Sequence, residues 1–210
     1  MRTDSFSLDI CHGLSGGSCP NVLPWNGELE TELKRVVLES GWPGFLRGWI
    51  NGPVKAHQKF KISVAGCPNG CSRPQIADFG LIRARKPDFV KEICIKCGLC
   101  AQTCDEDAIE LLNAGLVFEI NNCLYCGACQ KICPTQAILP DKDGFRIVLG
   151  GKLGRHPRLA SELSGIFAEE EVLNILGKAL VMYMEHYQHL KRFGDLFDLF
   201  GQDRVLKKLV

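Results

Sequence analysis

Eight of the twelve cysteines in this 210-residue chain fall in two copies of one spacing, and that repeat constrains the fold more than any other feature. Cys94, Cys97, Cys100 and Cys104 are followed, eighteen residues later, by Cys123, Cys126, Cys129 and Cys133. A shift of 29 residues lays one copy on the other, with Gly98 on Gly127, Ala108 on Ala137 and Ile109 on Ile138. The stretch is an internal duplication. Three thiolates spaced two residues apart wrap one face of an iron–sulfur cube, and the fourth ligand then comes from the other run. The expected sets are Cys94, Cys97, Cys100 and Cys133 for one 4Fe-4S cluster, and Cys123, Cys126, Cys129 and Cys104 for a second. Zinc normally takes four ligands as two separated pairs, which interlocked runs suit poorly. Gly98 and Gly127 let the backbone pass close to the cubes without a side chain in the way.

This segment resembles a bacterial two-cluster ferredoxin over residues 88–140. Asp105 stands where the second copy has Pro134, and the sequence DEDAIELL is expected to form a helix opening at Asp105. A formal charge of +1, from 25 basic and 24 acidic residues, gives no reason to expect nucleic acid or an anionic membrane as partner. No signal peptide is read at the N-terminus, and the apolar run ALVMYM is too short to span a bilayer. So many thiols suggest a reducing cytoplasm, and labile clusters an anaerobic setting.

Around the duplication the pattern changes. SFSLDI alternates, with Phe6, Leu8 and Ile10 on one side, as in a strand leading into Cys11. Residues 28–40 carry Leu29, Leu33, Val36 and Val37 at helical spacing, with Asn26 as a candidate cap and Gly41 as the stop. Trp42 to Pro53, rich in glycine and aromatics, is expected to be loop or short turns. KFKISVAG is a strand that delivers Cys67 and Cys71 into a Pro-Asn-Gly turn, and DFGLIRA is another. LVFEI at 116–120 and FRIVL after the duplication are further strands. A helix then carries Val172, Ile175, Leu176, Ala179, Leu180, Tyr183, Met184 and Tyr187 on one stripe. Glu169 to Glu171 mark its positive end and Lys191 and Arg192 its negative end. DLFDLF forms a last short amphipathic segment. The expected fold is α/β (α+β): a body of residues 1–87 and 141–210, into which a two-cluster ferredoxin domain, 88–140, is inserted.

Cys11, Cys19, Cys67 and Cys71 remain. Their spacing alone fits either buried structural thiols or cluster ligands, though each pair lies in a glycine-bearing loop at a strand end. The run VAGCPNGCSRPQIADFGLI and the later GGKLGRHPRLASEL resemble the sirohaem-dependent sulfite and nitrite reductases, and the likeness covers nearly all of the chain outside the ferredoxin. That resemblance implies a third 4Fe-4S cluster on Cys11, Cys19, Cys67 and Cys71, with Cys71 bridging to the iron of sirohaem and acting at the catalytic centre with Arg73. It also implies that Asn69, Arg73, Lys152 and Arg155 lie near the tetrapyrrole. Two differences stand out. Seven residues separate Cys11 from Cys19 where the family usually has five, and only the cysteine-bearing half of the family's two related halves is matched.

Sirohaem is a polycarboxylate and sulfite an anion, so both need cations around them. Arg73, Arg83, Arg85, Lys86, Lys152, Arg155 and Arg158 are the candidates, of which Arg83, Arg85 and Lys86 read better as solvated surface. A homodimer or a partner subunit is then expected to supply the missing half. His186 and His189 read as solvent-facing, and His12 beside Cys11 as a weak candidate proton donor. No nicotinamide fingerprint or nucleophile elbow is found, so an iron–sulfur or flavin protein is the expected electron donor. The expected function is reduction of a small oxyanion, sulfite or nitrite, with electrons entering through the ferredoxin clusters. The alternative is a non-catalytic multi-cluster electron carrier without sirohaem.

Overall fold

The computed structural model describes residues 4–25, 27–113 and 115–209. Strand β1 (Phe6–Ile10) leads to helices α1 (Leu29–Glu39) and α2 (Trp42–Trp49), then to β2 (Phe60–Ala65) and β3 (Phe79–Phe89). The duplicated segment contributes α3 (Leu99–Gln102), β4 (Ile109–Leu112), β5 (Gly115–Phe118) and α4 (Ala128–Ile132). The chain returns through β6 (Ile138–Leu149) and β7 (Ser161–Glu162) to α5 (Glu169–Glu185), α6 (Asp195–Phe200) and α7 (Gln202–Leu209). A mixed sheet runs β1-β2-β3-β6-β7, with β1, β2 and β3 parallel and the remaining pairs antiparallel; β4 and β5 form a separate two-stranded sheet.

Side-chain alternation puts Phe60, Ile62, Val64, Phe79, Leu81, Phe145, Ile147 and Leu149 on one face of the large sheet. Helices α1, α2 and α5 cover that face with Leu33, Val37, Trp42, Leu46, Val172, Leu176 and Leu180, all fully or nearly fully buried. The opposite face offers only a small cluster of Ala65, Ile82 and Val148. One helical layer on one sheet is therefore the body of the fold, a mixed α/β arrangement as the sequence implied. Among the described residues no helix is long and apolar enough to cross a membrane.

Three sequence expectations need correction. Residues 42–49 are helix, because Trp42 and Leu46 stand one turn apart and both bury completely, while Pro43 sits in the first turn, where its missing N–H is harmless. DEDAIELL is a turn followed by β4, since Ile109 pairs with Phe118 and the ladder with β5 outweighs local helix propensity. Helix α5 ends at Glu185, so Lys191 and Arg192 lie past its negative end. The candidate cap Asn26 lies outside the described residues; Glu28 precedes α1 without a side-chain cap bond.

Arg192 has another task. The Asp78 carboxylate is buried at the start of β3, where its Oδ2 accepts from the Lys61 N–H at 2.8 Å and from Arg192 Nη2 at 2.6 Å. Burial pushes the Asp78 carboxyl up, and Arg192 works against that shift. The pair fastens the C-terminal helices to the sheet. Removing one partner of a buried pair strands the other charge, so Arg192→Met is expected to cost about 3–5 kcal/mol. Anaerobic urea denaturation measures this, and a loss within experimental error would show that the pair does not hold the C-terminal segment.

Candidate metal centres

The duplication is visible in the backbone as well as the sequence. Lys96 and Tyr125 adopt φ of 56° and 58°, Gly98 and Gly127 of 76° and 72°, and Asp107 and Gln136 of 48° and 55°, each pair 29 residues apart. These left-handed positions turn the chain so that amides face sulfur. Lys96 N–H donates to Cys94 Sγ and Tyr125 N–H to Cys123 Sγ, each at 3.4 Å. Ala108 N–H donates to Cys104 Sγ at 3.4 Å and Ala137 N–H to Cys133 Sγ at 3.2 Å.

Cys94, Cys97, Cys100 and Cys133 line one cavity, together with Ile95, Leu99, Leu116 and Ile138. The first expected set thus converges, with its fourth member drawn from the second repeat. Burial pushes the Cys100 thiol up, and the nearby Cys97 and Cys133 add to the shift. Burial also raises Cys123, with Cys126 and Cys104 adding to it. Cys129 is pushed up to about 12, chiefly by burial and then by Cys126 and Cys123. Cys133 is the exception. Burial acts to raise it, but hydrogen bonds from Thr135 and the Ala137 amide hold it low.

The other four cysteines lie on two loops at one end of the large sheet. Cys11 follows β1, and its Sγ accepts the Gly66 N–H at 3.1 Å at the end of β2. Burial raises Cys67, to which Cys19, Cys71 and Cys11 add their repulsion. Parallel pairing of β1 with β2 is what brings the two loops to one end of the sheet.

Clustered thiols in dry pockets are poor thiolates until a metal takes their charge, and amides aimed at sulfur favour that charged form. Among the described residues no three His, Cys, Asp or Glu side chains close tightly enough to hold a single ion. The residues fit iron–sulfur clusters.

Neighbours of Cys71 are only partly as expected. Cys71, Asn69 and Arg73 are exposed on the turn after β2, and Arg155 is exposed on the loop after β6. Those loops touch, since Gly151 packs against the Gln75–Ala77 backbone and Ala160 N–H donates to Gln75 O. Lys152, by contrast, is buried and engaged by Asp195 at 2.6 Å and Asp198 at 3.4 Å. Arg158 stacks on Phe197 and bonds Ser161. Arg73 and Arg155 make no ion pair among the described residues. His12 and His189 are exposed, whereas His186 is half-buried against Phe200.

Sequence reasoning misread Arg83. Taken for solvated surface, it is 1% exposed and bonded to Asp143, while Arg85 takes the other oxygen of Asp143 and Lys86 pairs with Asp141 at the surface. Burial pulls the Arg83 pKa down and Asp143 opposes it.

A chain that carries twelve thiols on strand ends and duplicated loops has the ligands of an iron–sulfur protein on an α/β sheet. Residues 51–210 match the nitrite and sulphite reductase 4Fe-4S domain, and the chain belongs to that family; Cys11 and Cys19 lie before the matched region. It is similar to the coenzyme F420-dependent sulfite reductase of Methanocaldococcus jannaschii, at 35% identity over 84% of this chain and 26% of that protein. It is also similar to one of the subunits of the anaerobic sulfite reductase of Salmonella typhimurium, at 33% identity over 60% of this chain and 42% of that one. The chain therefore spans between a quarter and a half of these relatives. The fold is shared with dissimilatory sulfite reductase I, at a TM-score of 0.61 and 19% identity over 96% of this chain and 51% of that one. It is shared too with the NirA protein of Mycobacterium tuberculosis, at 0.52 and 16% over 97% and 26%.

The two cluster loops differ in one testable respect. A methyl added at Gly98 would come no closer than 3.7 Å to Leu111, whereas one at Gly127 would meet the buried Leu23 at 2.7 Å. Both glycines have left-handed φ, so Gly98→Ala is expected to cost about 1 kcal/mol from backbone strain. Gly127→Ala should cost measurably more and loosen the 19–25 segment. Equal losses in chemical denaturation would mean that this contact does not exist in solution.

Proposed function

We propose that this chain is the cluster-bearing part of a sulfite- or nitrite-type reductase, an oxidoreductase subunit with three 4Fe-4S clusters and a sirohaem bridged by Cys71. When bound, the clusters supply one-electron relays and sirohaem the iron at which a small oxyanion is reduced. The observation that supports this reading is that Cys94, Cys97, Cys100 and Cys133, drawn from both repeats, line one cavity, in a chain whose residues 51–210 match the family's 4Fe-4S domain.

The parts of the chain take distinct roles in this reading. Residues 88–140 act as an inserted ferredoxin unit and residues 1–87 with 141–210 as the body. The loop Cys94–Cys97, flanked by exposed Ile93, Ile95 and Leu99, receives an iron–sulfur or flavin donor protein. Cys123, Cys126, Cys129 and Cys104 face the body, whose 19–25 segment touches Gly127. Cys71, exposed between Asn69 and Arg73, offers its thiol outward, and Arg155 stands on the adjoining loop. Two arginines without an ion pair are few for a polycarboxylate and an oxyanion, because unpaired buried charge is costly. A partner subunit or a second copy supplies the remaining cations, and the assembly works in the cytoplasm, where thiols stay reduced.

A second reading, an electron carrier without sirohaem, is favoured by one observation. Lys152 and Arg158 already serve Asp195, Asp198 and Ser161, which withdraws two of the expected cations from any tetrapyrrole. Cys71→Ser separates the two readings. A reductase loses oxyanion reduction and its tetrapyrrole–cluster coupling while the duplicated segment's clusters keep their spectra; a carrier shows no tetrapyrrole absorption to begin with. Undiminished oxyanion reduction by the variant would sink the bridging role of Cys71.

A further inference from the structure

Two of the three thiol nests are fastened to one short stretch of β3. Arg83 is buried in the sheet, where a guanidinium is costly unless its donors are used. Its Nη1 donates to Gly144 O at 2.6 Å, and its Nη2 donates to Asp143 Oδ1 at 2.5 Å and to Pro24 O at 3.1 Å. The guanidinium lies 4.7 Å from the Trp25 ring and 5.0 Å from the Phe145 ring, and those rings meet edge-on at 5.0 Å. Pro24 and Trp25 end the segment that begins at Cys19.

The other oxygen of Asp143 accepts Arg85 Nε at 2.8 Å, and the Arg85 N–H donates to Tyr125 O at 2.8 Å. Tyr125 immediately precedes Cys126, which bridges to Arg85 as an isolated parallel pair. Two further contacts close the junction. Lys131 Nζ donates to Pro20 O at 2.5 Å, and Leu23 fills the space where a Gly127 side chain would stand. Asp143 therefore links, through two arginines, the segment carrying Cys19 to the loop carrying Cys126.

We infer that Arg83 is a positioning residue for electron transfer: with Asp143 it fixes the separation between the cluster site of Cys123, Cys126, Cys129 and Cys104 and the site of Cys11, Cys19, Cys67 and Cys71. It touches neither set, and acts by holding Pro24 and Trp25 against the strand pair from which the cluster-bearing segment emerges. The inference rests on the proposed third cluster. A guanidinium suits the task because one planar group serves three acceptors and stacks on two rings, which lysine cannot reproduce.

The test uses anaerobically purified, fully reduced protein and electron paramagnetic resonance, which reads magnetic interaction between neighbouring reduced clusters without any turnover. Wild type is expected to show three interacting clusters. Arg83→Met, which keeps side-chain bulk and leaves Asp143 paired with Arg85, is expected to retain its iron and sulfide but lose the interaction assigned to the third cluster. Faster amide exchange over 19–25 should accompany that loss. Asp143→Asn, at a half-exposed position that tolerates substitution if Arg83→Met fails to fold, is expected to weaken the same interaction. Retention of the wild-type interaction in a folded variant overturns the inference while leaving the three-cluster reading intact. Absence of a third cluster from wild type removes both, and the wild-type spectrum alone reveals it.

Discussion

From Phe79 opposite Leu149 to Phe89 opposite Ile138, β3 and β6 are joined by one antiparallel ladder that runs out of the core and into the cluster-bearing segment. At its inner end Phe79, Leu81, Ile147 and Leu149 are fully buried under the helices. At its outer end Pro87 stands opposite Pro140, past a register shift after Lys86, where neither residue has an N–H to give. Apart from that shift, the two strands run on through both boundaries at which sequence composition changes. Anything carried between them keeps a fixed relation to the core. A flexible linker would not give that.

The thiols meet a second constraint. Burial alone raises Cys67, Cys100, Cys123 and Cys129, so an empty pocket disfavours the charged sulfur that a metal needs. Left-handed residues at equivalent places in both repeats answer this by directing backbone amides at sulfur. The same device recurs outside the duplication, where the Gly66 amide meets Cys11. Side chains contribute little to that polarity, which lets Leu99, Leu116 and Ile138 keep the pocket apolar.

The duplication was legible in the sequence from thiol spacing, and the φ values repeat with the same 29-residue shift. The strands β1, β2 and β3 were legible from alternation. What was hidden depended on partners far along the chain. Helix α2 lay behind a glycine- and proline-rich composition, although Trp42 and Leu46 had the right spacing. The sequence DEDAIELL reads as a helix until β5 is there to pair with it. Arg83 reads as surface because Asp143, 60 residues away, and Trp25 are brought to it only by the fold. Lys152 likewise meets Asp195 only after α6 has docked.

The most direct measurement is iron and acid-labile sulfide quantification, with an absorption spectrum, on protein purified without oxygen. The three-cluster proposal predicts about twelve irons per chain in 4Fe-4S form. A strong Soret band with a red chlorin-type band would accompany them if Cys71 bridges to sirohaem. About eight irons would contradict the third nest at Cys11, Cys19, Cys67 and Cys71, and zinc in place of iron would contradict the account of the duplicated segment itself.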